Sequence, residues 1–292
     1  MTALAADHRA CEETLRASGS SFALPIRLLP AAKRRGTTAI YAFCRRADDL
    51  VDDAADPAAA RTALDAFAAT VAAALDGGRV EDPVVRALAD TVRRFAVPRA
   101  AIDAILAGVR MDLDRDGYET FAELEEYCRR VATAVGVAAI HVWGATDPAA
   151  VEAAHDVGLA FQLTNILRDI PEDLVRGRVY LPAEDFRACG CSPDDLRSGR
   201  IGPAFAALAA LECDRAAACF ARGERLDRML TTDGRLAFRA MFGVYRRLFA
   251  AVRRAGPDIF TARVRPGRPA MVAAAVMTTL LGPGRPWRRR RR

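Results

Sequence analysis

Two stretches of this sequence place carboxylates at helical spacing. In the first, Tyr41, Arg45, Asp48 and Asp52 fall at i, i+4, i+7 and i+11, with Asp49 beside them. In the second, Gln162, Asn165, Asp169 and Asp173 fall at i, i+3, i+7 and i+11, with Arg168 beside Asp169. That spacing puts each set on one helix face. A solvated face alternates charge sign at i, i+4 to gain small ion-pair energies, whereas these faces stack like charges, which costs helix stability. The arrangement makes sense when a cation sits between the carboxylates. Hard oxygen donors in small number, with room for water and phosphate oxygens, suit Mg²⁺, with Mn²⁺ as a substitute. One such face alone is as well explained by a solvated acidic helix. Two of them point to a metal-dependent anion site.

The elements that must carry these faces are helices. Ala, Leu and Arg favour helix, and no stretch alternates convincingly enough for a strand. Helices are expected over 6–17, 22–29, 33–53, 58–75, 83–95, 99–112, 120–142, 148–169, 203–230, 234–255 and 269–281, with a loop over 177–182. Thr120 stands three residues before Glu123, a capping-box arrangement. Pro171 inside the second stretch should kink its helix and tilt Asp173 away from Asp169. No repeat and no internal linker divides the chain. The reading is a single all-α domain over 1–292, with a basic, loose tail over 283–292.

Composition narrows the function. The chain has 292 residues, 52% of them hydrophobic, enough for one sizeable core. The net charge of +6 is local: six arginines, Arg285 and Arg288 to Arg292, fall in the last eight residues, and without them 37 basic residues meet 37 acidic ones. A neutral body argues against nucleic acid as a partner. The tail beside Trp287 reads either as a contact for anionic lipid or as a solvated end. Seven cysteines in no zinc spacing suit a reducing cytoplasmic setting, peripheral to a membrane at most. His8, His141 and His155 lie at no ligand spacing, and His141 and His155 read as satisfied helix residues. No nucleophilic triad, phosphate loop or dinucleotide fingerprint is present.

The two acidic stretches resemble the paired aspartate-rich motifs of the squalene/phytoene synthase family. So do Ser21-Phe22 with Arg27 to Pro30, the segment from Tyr127 to Gly136, and Arg176 to Pro182, all in the family's order from about 18 to 265. The resemblance implies an isoprenoid synthase fold, a helical bundle around a deep apolar cavity. It implies that Asp48, Asp52, Asp169 and Asp173 bind Mg²⁺ and through it diphosphate, with Asp49 assisting. By the same resemblance Ser21, Tyr41, Arg45, Gln162, Asn165, Arg168 and Tyr245 line the diphosphate region. Tyr127 stands near the reacting carbons, and Arg176, Arg178 and Tyr180 belong to a lid. Many members carry a basic residue just before the Ser-Phe pair. Here Ser20 occupies that place, so one phosphate contact is expected either to be weaker or to be supplied by Lys33, Arg34 or Arg35.

The implied reaction joins two prenyl diphosphates, farnesyl in preference to geranylgeranyl, head to head through a cyclopropylcarbinyl diphosphate to a C30 or C40 product. NADPH is needed only for squalene. Head-to-tail chain elongation, terpene cyclisation and an inactive assembly factor remain alternatives. Retention of all four aspartates argues against the last. The Tyr127 and Arg178-to-Pro182 segments argue against the first two.

Overall fold

The computed structural model describes residues 3–260 and 264–284, so Arg285, Trp287 and the arginines from Arg288 lie outside the described residues. Helix α1 (Ala3–Ala17) and the short α2 (Ala23–Arg27) lead into α3 (Ala31–Asp52), which carries the first acidic face. Then come α4 (Pro57–Leu75), α5 (Pro83–Phe95), α6 (Arg99–Asp114) and α7 (Phe121–Cys128). A π-helical turn, Arg129–Thr133, joins α7 to α8 (Ala134–Trp143). The second acidic face is on α9 (Ala150–Val175). It is followed by α10 (Ala183–Cys189), α11 (Pro193–Arg197), α12 (Pro203–Gly223), α13 (Thr232–Ala255) and α14 (Arg268–Leu281). Among the described residues there is no strand, only isolated bridges at Gly117–Val179 and Ala145–Leu230.

Local chemistry sets several helix starts. Asp56 accepts from the Ala59 N–H at 2.8 Å ahead of Pro57, and Asp82 accepts from Val84 and Val85 ahead of Pro83. Thr120 accepts from the Glu123 N–H at 3.3 Å, but Glu123 returns its carboxylate to the Glu119 N–H at 2.8 Å. The expected capping box therefore closes one residue early. Helix α4 is long and apolar enough to cross a bilayer. It buries Leu64, Phe67, Val71 and Ala74 against the neighbouring helices, and its Arg61 pairs with Asp114. That is the pattern of a surface helix packed on the bundle through one apolar face.

The structure corrects three expectations. The helix expected over 148–169 runs past Pro171 to Val175, and Gly177 turns the chain at φ 79°. The helix expected over 203–230 stops at Gly223 and continues as a 3₁₀ stretch, Glu224–Met229. The helix expected over 120–142 contains the π-turn. No proline or glycine lies within that turn. Packing imposes it from both sides: a Cβ added at Gly108 of α6 would lie 2.8 Å from Arg130 Cβ, and one at Gly158 of α9 would lie 2.9 Å from the Thr133 nitrogen. Two helix backbones thus press on the turn that follows Tyr127, and insertions of this kind are frequent beside functional sites.

The largest fully buried side chains come from several helices: Phe43 of α3, Phe186 of α10, Phe205 of α12, and Phe238 and Phe242 of α13. Pro283, at the start of the expected loose tail, is buried, and its carbonyl accepts from Arg246.

Candidate active site

The acidic faces of α3 and α9 open on a common cleft, and α6 supplies a carboxylate between them. Asp112 of α6 is close enough to raise the proton affinity of both Asp48 and Asp173. Tyr127 Oη donates to Asp112 Oδ2 at 3.1 Å and Tyr180 Oη donates to Asp112 Oδ1 at 2.9 Å. Tyr118 completes the group: Tyr127 and Tyr180 stack at 5.2 Å, and Tyr118 lies 5.5 Å from Tyr127. Burial pushes the hydroxyls of all three tyrosines above their ordinary range, so they keep their protons.

The loop after α9 reaches across the cleft. Arg176 and Arg178 meet Asp52 of α3 at 3.1 and 3.2 Å. The loop is fastened to the segment before α7 by backbone bonds, Val179 N–H to Asp116 O at 2.8 Å and Ala183 N–H to Tyr118 O at 2.9 Å. Beneath it Ile166, Ile170, Leu174, Leu181 and Leu196 line a hollow of about 10 Å³, with Asp173 and Tyr180 at its edge. This hollow has room for one water. A larger hollow of about 750 Å³ lies at the other end of α9, against α7 and α12. Its charged side chains pair with protein groups: His155 contacts Thr133 and Glu125, and Arg222 binds Asp156.

Most residues singled out in the sequence converge here. Asp48, Asp52, Asp169 and Asp173 face the cleft. Asp49 pairs with Arg45 at 2.7 Å. Arg168 binds its neighbour Asp169 through Nε at 2.7 Å and through Nη2. Gln162 is a turn from Asn165 on the same face. Asn165 hydrogen-bonds the Tyr245 hydroxyl, and its buried Oδ1 has no partner in the structure. Tyr245 stacks on Phe161 at 3.8 Å and on Phe22 at 5.6 Å. Tyr41 Oη donates to Ser18 Oγ at 2.8 Å. Ser21 is exposed and joins none of these bonds; Ser18 is the serine at this edge.

The Lys33 ammonium is taken up by protein groups. Its Nζ donates to the Trp143 carbonyl at 2.8 Å, Thr231 Oγ1 at 3.0 Å and Asp233 Oδ1 at 2.9 Å, tying α3 to α8 and α13. Burial alone would raise the Asp233 carboxyl, but bonds from Lys33, Thr231 and the Gly234 N–H bring it down to about 2. Arg35 is exposed, close enough for its charge to lower the proton affinity of His8, and Arg34 donates to the Leu29 carbonyl at 3.4 Å. Lys33→Met is expected to lower stability by about 2 kcal/mol, since hydrogen bonds to charged groups contribute on that scale. It should leave substrate affinity unchanged. Thermal unfolding and KM check the two halves separately, and a raised KM with unaltered stability would return Lys33 to the site.

Crowding of carboxylates leaves an electrostatic mark. Although water reaches Asp48, protein displaces much of its hydration, and Asp52 and Asp112 add repulsion, so its carboxyl rises to about 7. Burial and then Asp169 raise Asp173 to about 7. A carboxyl whose folded pKa lies above its unfolded value stabilises the fold most when protonated in both states. Stability is lost as pH climbs from about 4 to about 7 and is level above that. Asp48→Asn should therefore make the metal-free protein more stable, by a margin that widens between pH 5 and pH 7.5. Denaturant titrations at the two values check this, and a margin that shrinks would contradict the crowding.

Among the described residues no three side chains converge tightly enough to enclose a metal by themselves. The donor set nevertheless fits Mg²⁺, which takes one or two carboxylates and completes its shell with water and phosphate oxygens.

Comparison with known proteins agrees with this geometry. The squalene/phytoene synthase family pattern matches residues 15–270. A phytoene synthase of Mycobacterium tuberculosis is 36% identical over 284 residues, covering 96% of this chain and 93% of that protein. A 15-cis-phytoene synthase of Synechococcus elongatus is 35% identical over 278 residues, covering 90% and 89%. Among solved structures, a dehydrosqualene synthase superposes with a TM-score of 0.87 at 30% identity, covering 95% of this chain and 96% of that one. The squalene synthase HpnC of Alicyclobacillus acidocaldarius gives 0.80 at 30% identity, covering 87% and 95%.

Proposed function

Because this chain belongs to the squalene/phytoene synthase family and is a prenyltransferase, we propose that it joins two geranylgeranyl diphosphates head to head. The product is a C40 hydrocarbon of the phytoene type, formed through a cyclopropylcarbinyl diphosphate with release of diphosphate. The observation that carries this reading is the cleft itself: acidic faces from α3 and α9 opposed across Asp112, with a cluster of protonated tyrosines beside them. The names of the relatives at 36% and 35% identity favour C20 substrates. The solved squalene and dehydrosqualene synthases favour the second reading, two farnesyl diphosphates and a C30 product. NADPH enters only if that product is squalene.

Asp48, Asp52, Asp169 and Asp173 would hold Mg²⁺ or Mn²⁺. The ion supplies neutralisation of the charge that grows on a departing diphosphate. The chain's own groups do the rest. Arg45, Arg168, Arg176 and Arg178 bring positive charge to the same oxygens from fixed positions, so little reorganisation is needed as charge develops. Tyr118, Tyr127 and Tyr180 present aromatic rings to the allylic cation. Each ring contributes ~0.5–2 kcal/mol of cation–π attraction without offering a nucleophile, because the hydroxyls stay protonated. The loop over 177–182 keeps water from quenching the cation. Tyr41, Gln162, Asn165 and Tyr245 fix the diphosphate edge, and Asn165 has a free acceptor for a bound water.

Incubation of the purified protein with farnesyl or geranylgeranyl diphosphate and Mg²⁺, followed by lipid identification, tests the reading. A C40 or C30 head-to-head product supports it and fixes the substrate. A longer head-to-tail diphosphate, or a cyclised product of one substrate molecule, would overturn it.

A further inference from the structure

We infer that α14 docks this protein on an anionic lipid bilayer, lying in the membrane plane with its outer face in the headgroup boundary. The inference does not depend on the reaction proposed above. After Arg268, the 14-residue helix carries no charge. One side rests on α13, where Ala274 and Ala275 are buried. The contact is close: a Cβ on Gly243 of α13 would lie 2.4 Å from Thr278 Oγ1. The other side is a continuous apolar stripe in solvent: Val272, Ala273, Val276, Met277, Leu280 and Leu281. Leu280 is 71% exposed and Val276 is 50% exposed. Five of the ten large apolar side chains exposed among the described residues are on this one helix, so they form a patch.

Size and charge select the occupant. A helix of 14 residues is ~21 Å long, too short for the ~30 Å hydrocarbon core, so it lies in the interface. Its outer face, ~10 Å wide, covers about 200 Å². A stable pairing with a second copy needs ~800 Å² from each partner. The ends of the stripe are basic. Arg265 and Arg268 are exposed at its start, and beyond its end the sequence continues with Arg285, Trp287 and Arg288 to Arg292. Those charges complement anionic headgroups and would repel in a pairing of like copies. The helix is also held rigidly, since Arg239 donates to the Thr279 carbonyl at 3.3 Å and Arg246 to that of Pro283. Docking through it would give the whole molecule one orientation on the surface.

The test is co-sedimentation of the full-length protein with vesicles of phosphatidylcholine alone or mixed with phosphatidylglycerol. Wild type is expected to bind the mixed vesicles at low salt and to release at ~1 M salt, where screening falls to ~3 Å. Val276→Asp with Leu280→Asp should lower partitioning about tenfold or more, because two apolar side chains are removed from the interface. Met277→Asp with Leu281→Asp should repeat that result. Leu4→Asp, on the exposed side of α1, should bind as wild type does. Circular dichroism and turnover in detergent should be unchanged in all variants. Absence of wild-type binding to mixed vesicles would overturn the proposal. So would undiminished binding by both double variants, which would leave the arginines alone responsible. A lipid-free dimer abolished by the same substitutions would assign the stripe to a second copy.

Discussion

Asp48→Asn and Asp169→Asn should each lower turnover by about 10²-fold or more, equivalent to ~2.7 kcal/mol of transition-state stabilisation, while the helical content is unchanged. The replacement keeps side-chain size, and both positions border a solvent-reached cleft, so the packing around α3 and α9 has no reason to change. What goes is a negative charge at the point where two acidic faces meet. Metal affinity depends on that charge, and so does the electrostatic position of Arg168, which grips Asp169 through Nε and Nη2. The loss should fall on kcat more than on KM, because the arginines still bind the diphosphate in its ground state while charge developing on departure is no longer met. Added EDTA should abolish the wild-type rate, and excess Mg²⁺ should restore it. Near-normal kcat in either variant at saturating substrate would remove these aspartates from the mechanism.

Much of this site was legible because its logic is periodic. Carboxylates at i, i+4 announce themselves on any helix, and the helices holding them contain few breakers. Asp112 escaped notice because its meaning is tertiary. In the sequence it alternates with Asp114 and Asp116, which looks like a solvated loop, while its partners Tyr127 and Tyr180 are 15 and 68 residues away. One signal was available: Ile105, Gly108, Val109 and Asp112 fall at i, i+3, i+4 and i+7, an acid on an otherwise buried apolar face of α6. Tyr118 escaped for the same reason, since only the stitching of the 177–182 loop to 116–118 brings it to Tyr180. A lysine near an acidic site can equally well bind carbonyls inside the protein, as Lys33 does with that of Trp143, and a sequence does not say which it meets. The π-turn after Tyr127 could not be read from its own residues, because glycines on two other helices create it. The short α10 and α11 gave no periodic signal at five to seven residues each.

The loop over 177–182 leads into a helix anchored by a buried ion cluster, and removing the centre of that cluster should produce the largest stability loss. Arg215 of α12 binds Asp185 of α10 through both Nη atoms and Glu212 at 2.7 Å, and its guanidinium lies 4.1 Å from the Phe121 ring centroid. Asp185 is 4% exposed and Glu212 fully buried. Burial raises the Glu212 carboxyl to about 8 even with Arg215 present, and Asp185 adds to the rise. Arg215→Leu keeps most of the apolar stem but leaves two acids facing each other without a cation. Breaking a buried pair by removing one partner costs about 3–5 kcal/mol. In a domain of this size that is a fall of ~10 °C in melting temperature. Because α10 begins where the 177–182 loop ends, and Glu184 accepts from the Phe121 N–H at 2.7 Å, the weakened clamp should also loosen the loop that holds Arg178 against Asp52. Thermal unfolding should show the drop at pH 7.5 and a smaller one near pH 5.5, where the orphaned acids take up protons. Limited proteolysis should cut first between α9 and α10. A variant that melts with wild type, or a deficit that grows as pH falls, would show that Arg215 does not hold this cluster together.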